Sequence, residues 1–209
     1  MTGSAAAAAG TAERVPLADL VATRIGALQA RYLAGTSGGV SDLAALRRAA
    51  TLPVGADPRT WELTLAGVSP WARDDEATTA ESAVHGAMTL YALHQQSRTQ
   101  SMHRRGRGLG SAVRELGRST GAEAAVRRRF EALGTAATFP ELMHHARGLV
   151  RQLRSAGIAL DYGRLTQDLL DWQDPARTAA VRLRWGREYH RVPAEGSTID
   201  EPPTQPTEE

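Results

Sequence analysis

The sequence predicts an all-helical protein, two small helical bundles joined by a short basic linker, with disordered termini. Three observations carry this. Ala, Leu and Arg, among the best helix formers, dominate the composition, and β-branched residues are sparse. Apolar residues recur at spacings of three and four from residue 16 to residue 190, and no segment shows convincing two-residue alternation. Candidate helix caps (Ser41, Asp57, Asp161 and Asp174) stand in front of several of these runs.

Taken in order, residues 1–13 are rich in Ala, Gly, Ser and Thr and read as a disordered segment. Residues 14–100 form the first expected bundle. In it, Leu17, Leu20, Val21, Ile25, Leu28 and Tyr32 predict a helix over 16–34, which "GTSGG" stops. Ser41 caps a short helix, "SDLAALRRAA", before Pro53. Asp57 caps the next, with Pro58 at its first position and Trp61, Leu65 and Val68 on one face. A long helix follows "SPWARDDEATT", carries Val84, Met88, Tyr91 and Gln95 along one side, and fades near Gln100. The acids before it suit the positive end of a helix dipole.

Gly106 to Gly110 then make a hinge, and residues 101–192 form the second bundle. Its helices carry Leu109, Val113 and Leu116; Val126, Phe130 and Leu133; and Leu142, Met143, Ala146, Leu149, Val150 and Leu153. After Gly157, Asp161 caps a helix with Leu165, Leu169 and Trp172, and Asp174-Pro175 opens a last one with Val181, Trp185 and Tyr189. Residues 193–209 read as a disordered acidic, Pro-rich tail.

Composition excludes several chemistries. The 209 residues include no cysteine, which removes disulfides, thiol nucleophiles and Cys-ligated zinc and points to a reducing cytoplasm. All 25 basic residues are arginine, so a P-loop or Schiff-base lysine is impossible. The start lacks the basic and apolar regions of a signal peptide, and no window approaches the roughly 18 apolar residues of a membrane span. A soluble cytoplasmic protein with no membrane partner is expected.

The net charge of +2 hides a division. From Met1 to Ser97 there are 7 arginines against 9 acids, or −2. From Arg98 to Arg191 there are 18 arginines against 9 acids, or +9, and the tail from Val192 carries 5 acids and no base, or −5. A basic field over half the chain favours polyanionic partners.

Catalytic signatures are lacking. None of the six histidines forms HExxH, and adjacent His144 and His145 point about 100° apart on a helix. Asp168, Asp171 and Asp174 recur three apart; a magnesium cluster and a solvated acidic face with Asp174 as cap both fit. "GRGLG" resembles a dinucleotide fingerprint but has no preceding strand, and there is no G-x-S-x-G elbow. No enzyme, cofactor or metal is expected.

The arginines say more. Arg104, Arg105 and Arg107 crowd the linker, with Glu115 the only acid between His94 and Gly117. "AAVRRRFEAL" turns at least two of Arg127, Arg128 and Arg129 outward. His144, Arg147, Arg151 and Arg154 recur at +3, +4 and +3 along one helix. Guanidiniums about 5 Å apart suit consecutive phosphates. The alternative is a solvated face whose stems cover apolar surface. Few aromatics accompany them, which favours backbone contact over base stacking.

The order "YALHQQ", "GLGSAVRELG", "AAVRRRFEALGTAATFPELMHHARGLVRQLRSAGIALDYGRLTQDLLDW", "VRLRWGREYH" resembles the CasB family, the small subunit of the type I-E CRISPR complex Cascade. The likeness covers residues 80–191, and the first eighty in outline. It implies two helical bundles, and two copies lying head to tail against the subunits that hold the guide RNA. It implies a non-catalytic role, in which a basic surface stabilises the R-loop by holding target and displaced DNA strands without reading sequence. On this chain the family's patch falls on Arg48, Arg128, Arg129, Arg147 and Arg151, and Arg104, Arg105 and Arg107 extend it. The N-terminal Ala run, the acidic tail and "HRRGRG" depart from the family pattern. Two other readings remain: a helix-turn-helix transcription regulator, and a helical hydrolase using Asp168, Asp171 and a histidine.

Overall fold

The computed structural model describes residues 16–69, 72–73 and 75–191, all of them outside any strand. The disordered segments expected at 1–13 and 193–209 lie outside the described residues. Nine α-helices are present among those described: α1 (Leu17–Leu33), α2 (Ser37–Ala49), α3 (Trp61–Thr64), α4 (Thr79–Gln95), α5 (Leu109–Thr120), α6 (Glu123–Gly134), α7 (Phe139–Ala156), α8 (Tyr162–Trp172) and α9 (Pro175–His190). A single 3₁₀ turn, Pro58–Thr60, precedes α3.

The start of α2 is a correction. Thr36, not Ser41, is the cap: its Oγ1 accepts from the Gly39 amide at 3.2 Å, and the helix begins at Ser37. Gly38 and Gly39, expected in a loop, lie inside the helix. A Cβ on Gly39 would come within 2.7 Å of the backbone at Arg31 and Tyr32, so the tight α1–α2 corner requires glycine there. Trp61 is a second correction. It stands about half exposed, and its indole N–H donates to the Gly55 carbonyl at 2.7 Å instead of joining the core with Val68.

α4 is the central post. Its residues Ala83–Gln95 are all buried, so the one-sided stripe expected from the sequence is a helix packed all round. A capping box fixes its start, with Thr78 accepting from the Glu81 amide and the Glu81 carboxylate accepting from the Thr78 amide. It stops at Gln95, five residues before the expected end, because the buried Gln95 amide captures the following loop. Its Nε2 donates to the carbonyls of Arg98 (3.1 Å) and Gln100 (2.9 Å), and its Oε1 accepts from the Met102 amide (2.9 Å).

The segment expected to be a hinge is pinned instead. Leu160 N–H donates to Met102 O at 3.0 Å and Arg104 N–H to Leu160 O at 3.1 Å, forming a parallel bridge at His103 and Leu160. Gly106 N–H donates to Asp161 Oδ2 at 2.7 Å. Gly108 and Gly110 lie so close to α9 that a Cβ would collide with the Glu188 carboxylate or the Trp185 carbonyl. The glycines of "GRGLG" answer a close helix approach, not a phosphate.

Helix α8 packs on both α1 and α4, α7 on α4, α5 and α6, and α9 on α5. One cluster of buried side chains therefore runs from Val21 and Ile25 through Met88 and Tyr91 to Leu149, Leu169 and Trp185. The boundary expected near residue 100 is crossed by this packing.

At the centre, Tyr162 Oη shares a 2.9 Å hydrogen bond with His94 Nδ1, and the Tyr162 amide donates to His103 Nδ1 at 3.2 Å. Burial pushes the His94 imidazole down to about 4, and His85 and His103 are lowered by the same cause. A depressed imidazole contributes stability that is complete above its unfolded value near 6.5 and is lost as pH falls toward the folded value. Between pH 7 and 5 the His94 shift removes about 2 kcal/mol. Denaturant titrations across that interval should show this loss, and His94→Gln should reduce it without abolishing it. A pH-independent midpoint would contradict it.

Candidate nucleic-acid interface

The eight arginines singled out from the sequence fall into three groups. Arg48 and Arg147, distant in the chain, meet at the C-terminus of α2. Arg147 reaches from α7 and donates to the Ala50 carbonyl at 3.2 Å, while Arg48 lies exposed in the last turn of α2. A cation at a helix C-terminus is favourable because the dipole and the open carbonyls are negative there. Burial and the neighbouring Arg151 lower the Arg147 pKa, but it stays charged at neutral pH. Arg151 follows one turn later, exposed. Arg154 donates to Gln96 Oε1 at 2.9 Å. Within this stripe two guanidiniums also brace neighbouring segments, and Arg48 and Arg151 are exposed and form no ion pair among the described residues.

Arg128 and Arg129 form the second group, exposed on α6, whereas Arg127 pairs with Glu131 at 3.5 Å. Val126 and Leu133 bury the opposite face of α6, so Arg128 and Arg129 are held outward by the helix period.

The linker arginines make the third group, and they differ from one another. Arg107 is largely consumed: its guanidinium meets Glu115 at 2.5 Å and is 28% exposed. Arg105 lies 3.8 Å from Asp19 with both side chains exposed, a pairing worth little in water. Arg104 is exposed. This group is anchored against α1 and α8, and no hydrogen bond or ion pair joins it to the other two among the described residues.

Sequence reasoning missed a further basic face. Arg114, Arg118, His190 and Arg191 line a crevice of about 230 Å³ between α5 and α9, opposed by Glu123. Arg164, Arg184, Arg187 and Arg191 line a second of about 330 Å³, opposed by Glu188. The i, i+4 pairs 114/118 and 187/191 were the available signal, but only the packing of α9 on α5 brings them to one side.

The acidic triplet is structural. Asp168 is 1% exposed; its Oδ1 accepts from Arg184 Nε at 2.8 Å and its Oδ2 from the Trp185 indole at 2.7 Å. Asp171 pairs with Arg177 at 3.1 Å, and Asp174 caps α9 through the Ala176 amide. These carboxylates fasten α8 to α9. Among the described residues no three His, Asp or Glu side chains are grouped to hold a metal ion, and no helix is long and apolar enough to cross a membrane.

Fold and surface together define a class: an all-α protein whose polar chemistry lies in exposed guanidiniums on several helices. The model of the family CRISPR-associated protein Cse2 matches residues 42–190, reaching further toward the N-terminus than the motifs do. A CRISPR-associated protein Cse2 of Thermus thermophilus is 31% identical over 161 residues, covering 77% of this chain and 85% of that one. The crystal structure of CasB from Thermobifida fusca is similar at a TM-score of 0.72 and 35% identity, over 86% of this chain and 100% of that one. CasB from Thermus thermophilus gives a TM-score of 0.60 at 30% identity, over 82% and 96% of the two chains. The chain belongs to the Cse2 (CasB) family of CRISPR-associated proteins.

Proposed function

We propose that this protein is the non-catalytic small subunit of a cytoplasmic type I-E CRISPR interference complex, Cascade, and steadies the R-loop of guide RNA and target DNA through its arginines. The observation that carries this reading is a set of exposed guanidiniums (Arg48, Arg128, Arg129 and Arg151) that form no ion pair among the described residues, on a member of a CRISPR-associated family. Arginine offers paired donors to phosphate oxygens, and an all-helical surface with few exposed aromatics favours the sugar–phosphate backbone over stacked bases. Its partners in this role are single-stranded and target DNA, the guide ribonucleoprotein, neighbouring Cascade subunits and a second copy of itself. Arg104 and Arg105 extend the surface, Arg107 contributes little beyond its bond to Glu115, and Arg147 serves both phosphate and α2.

The hydrolase alternative loses support because Arg184 and Arg177 already occupy the carboxylates it requires. The test is binding to several unrelated single-stranded and duplex DNAs between 50 and 200 mM salt, with magnesium present. Affinities should agree across sequences, fall steeply with salt, and leave every strand intact. Affinity confined to one sequence would favour the transcription regulator, and metal-dependent cleavage would favour the hydrolase.

A further inference from the structure

An aromatic groove of about 280 Å³ lies between α6 and α9, away from the arginine stripe of α7. Phe130 and Tyr189 stack at 5.4 Å with their planes 28° apart, and Trp185 stands 6.4 Å from Phe130 between ring centres. Both helices place a glycine in the lining, Gly134 and Gly186. A Cβ on either would meet nothing within 4 Å, so packing within this chain does not explain them. Glycine is a poor helix former, and its use on both walls keeps the groove open. The rim carries Arg127, paired with Glu131 at 3.5 Å, together with Arg182 and His190.

We propose that this groove binds the chain's own acidic, Pro-rich segment, residues 200–209, with Pro203 and Pro206 seated on the aromatic wall. Those residues read "DEPPTQPTEE" and lie outside the described residues. The spacing of Pro203 and Pro206 is that of a polyproline II turn, in which residues three apart present one edge to an aromatic-lined groove. Charge decides between occupants. Asp200, Glu201, Glu208 and Glu209 flank the prolines without a base, matching a rim on which Arg182 and His190 stand beside an Arg127 already paired with Glu131. Reach is ample: the 12 residues from Arg191 to Pro203 extend about 37 Å as polyproline II, and Arg182 to His190 span about 12 Å of helix. The path is also continuous, because Tyr189 and His190 line both this groove and the crevice of Arg114 and Arg118, beside Arg191 where the described chain stops. Tethering raises the effective concentration to about the millimolar range, so weak contacts suffice. The bound segment also sets its acids beside the missed basic face of α5 and α9, where they compete with a polyanion.

Since the chain has no cysteine, Thr207→Cys carries a single nitroxide on the full-length protein. Amide resonances of Gly134 and Gly186 and the Trp185 indole should lose at least half their intensity, and the Trp61 indole on α3 should not. Pro203→Ala with Pro206→Ala should restore the signals, as should Gly186→Leu, which fills the groove from a position with open space around it. Intensity unchanged at the groove would overturn the proposal. So would broadening that ignores both proline substitutions and vanishes in 0.5 M salt, which is charge attraction without a seat. Mixing isotope-labelled wild type with unlabelled, spin-labelled protein gives the last arm. Broadening there would overturn an intramolecular occupant in favour of a second copy's segment.

Discussion

Replacing Arg128, Arg129, Arg147 and Arg151 by alanine should lower the slope of log K against log salt by about 3.6 for duplex DNA and about 2.8 for single strands. The size follows from counterion release, at about 0.9 or 0.7 per phosphate neutralised and four guanidiniums removed. Over a fourfold rise in salt, wild type should then lose about a hundredfold more duplex affinity than the variant does. The loss at fixed salt should be equal for unrelated sequences. Arg147 complicates the fourfold variant, because it also satisfies the Ala50 carbonyl. The triple variant that keeps Arg147 separates the roles: its slope should fall by about 2.7 for duplex with the melting temperature unchanged. In an assembled complex either variant should still incorporate but hold target DNA less well. An unchanged slope would show a merely solvated stripe, and a loss restricted to one sequence would show base readout.

Asp168→Ala should destabilise the fold by about 3 kcal/mol, visible as a melting temperature lower by about 6–12 °C. The carboxylate is buried and accepts from both Arg184 and the Trp185 indole, so truncation leaves a buried N–H without an acceptor and a guanidinium without its nearest anion. Asp171, 3.5 Å from Arg184, limits the damage by keeping a counter-charge near. Asp168→Asn should cost less, since an amide oxygen still accepts from the indole. DNA affinity of the folded fraction should not change. A variant as stable as wild type but altered in metal-dependent cleavage would reverse this assignment and restore the hydrolase.

Helix identity was legible in the sequence wherever one face was apolar and one polar. The stripes of α5, α7 and α8 place Leu116, Leu149 and Leu169 in the core as their spacing requires, and the Asp57, Asp161 and Asp174 caps stand where expected. Where the period was diluted, the helices were still read but their detail was not: the burial of α4 and the start of α2. α4 is buried on every side and has no polar face to mark its orientation, and Gly38 and Gly39 hid the first turn of α2. That at least two of Arg127, Arg128 and Arg129 turn outward was also legible, because it follows from the same helix period as Val126 and Leu133, and all three are exposed.

The pairing of charges lay beyond the sequence. Whether an arginine is free for phosphate depends on which acid or carbonyl a distant helix brings to it. That is why Arg107 is held by Glu115, Arg147 by Ala50 just past the end of α2, and the carboxylate of Asp168 by Arg184. The sequence by itself determined the helices, the caps at Asp57, Asp161 and Asp174, and the concentration of positive charge after residue 98, since these depend on local period and composition. The tertiary structure alone decided that "GRGLG" is a close approach to Glu188, and that the arginines of α5 and α9 share one face. Both depend on how α9 lies across α5, which is set by the burial of Val181 and Trp185 against the common core and not by any neighbour in the chain.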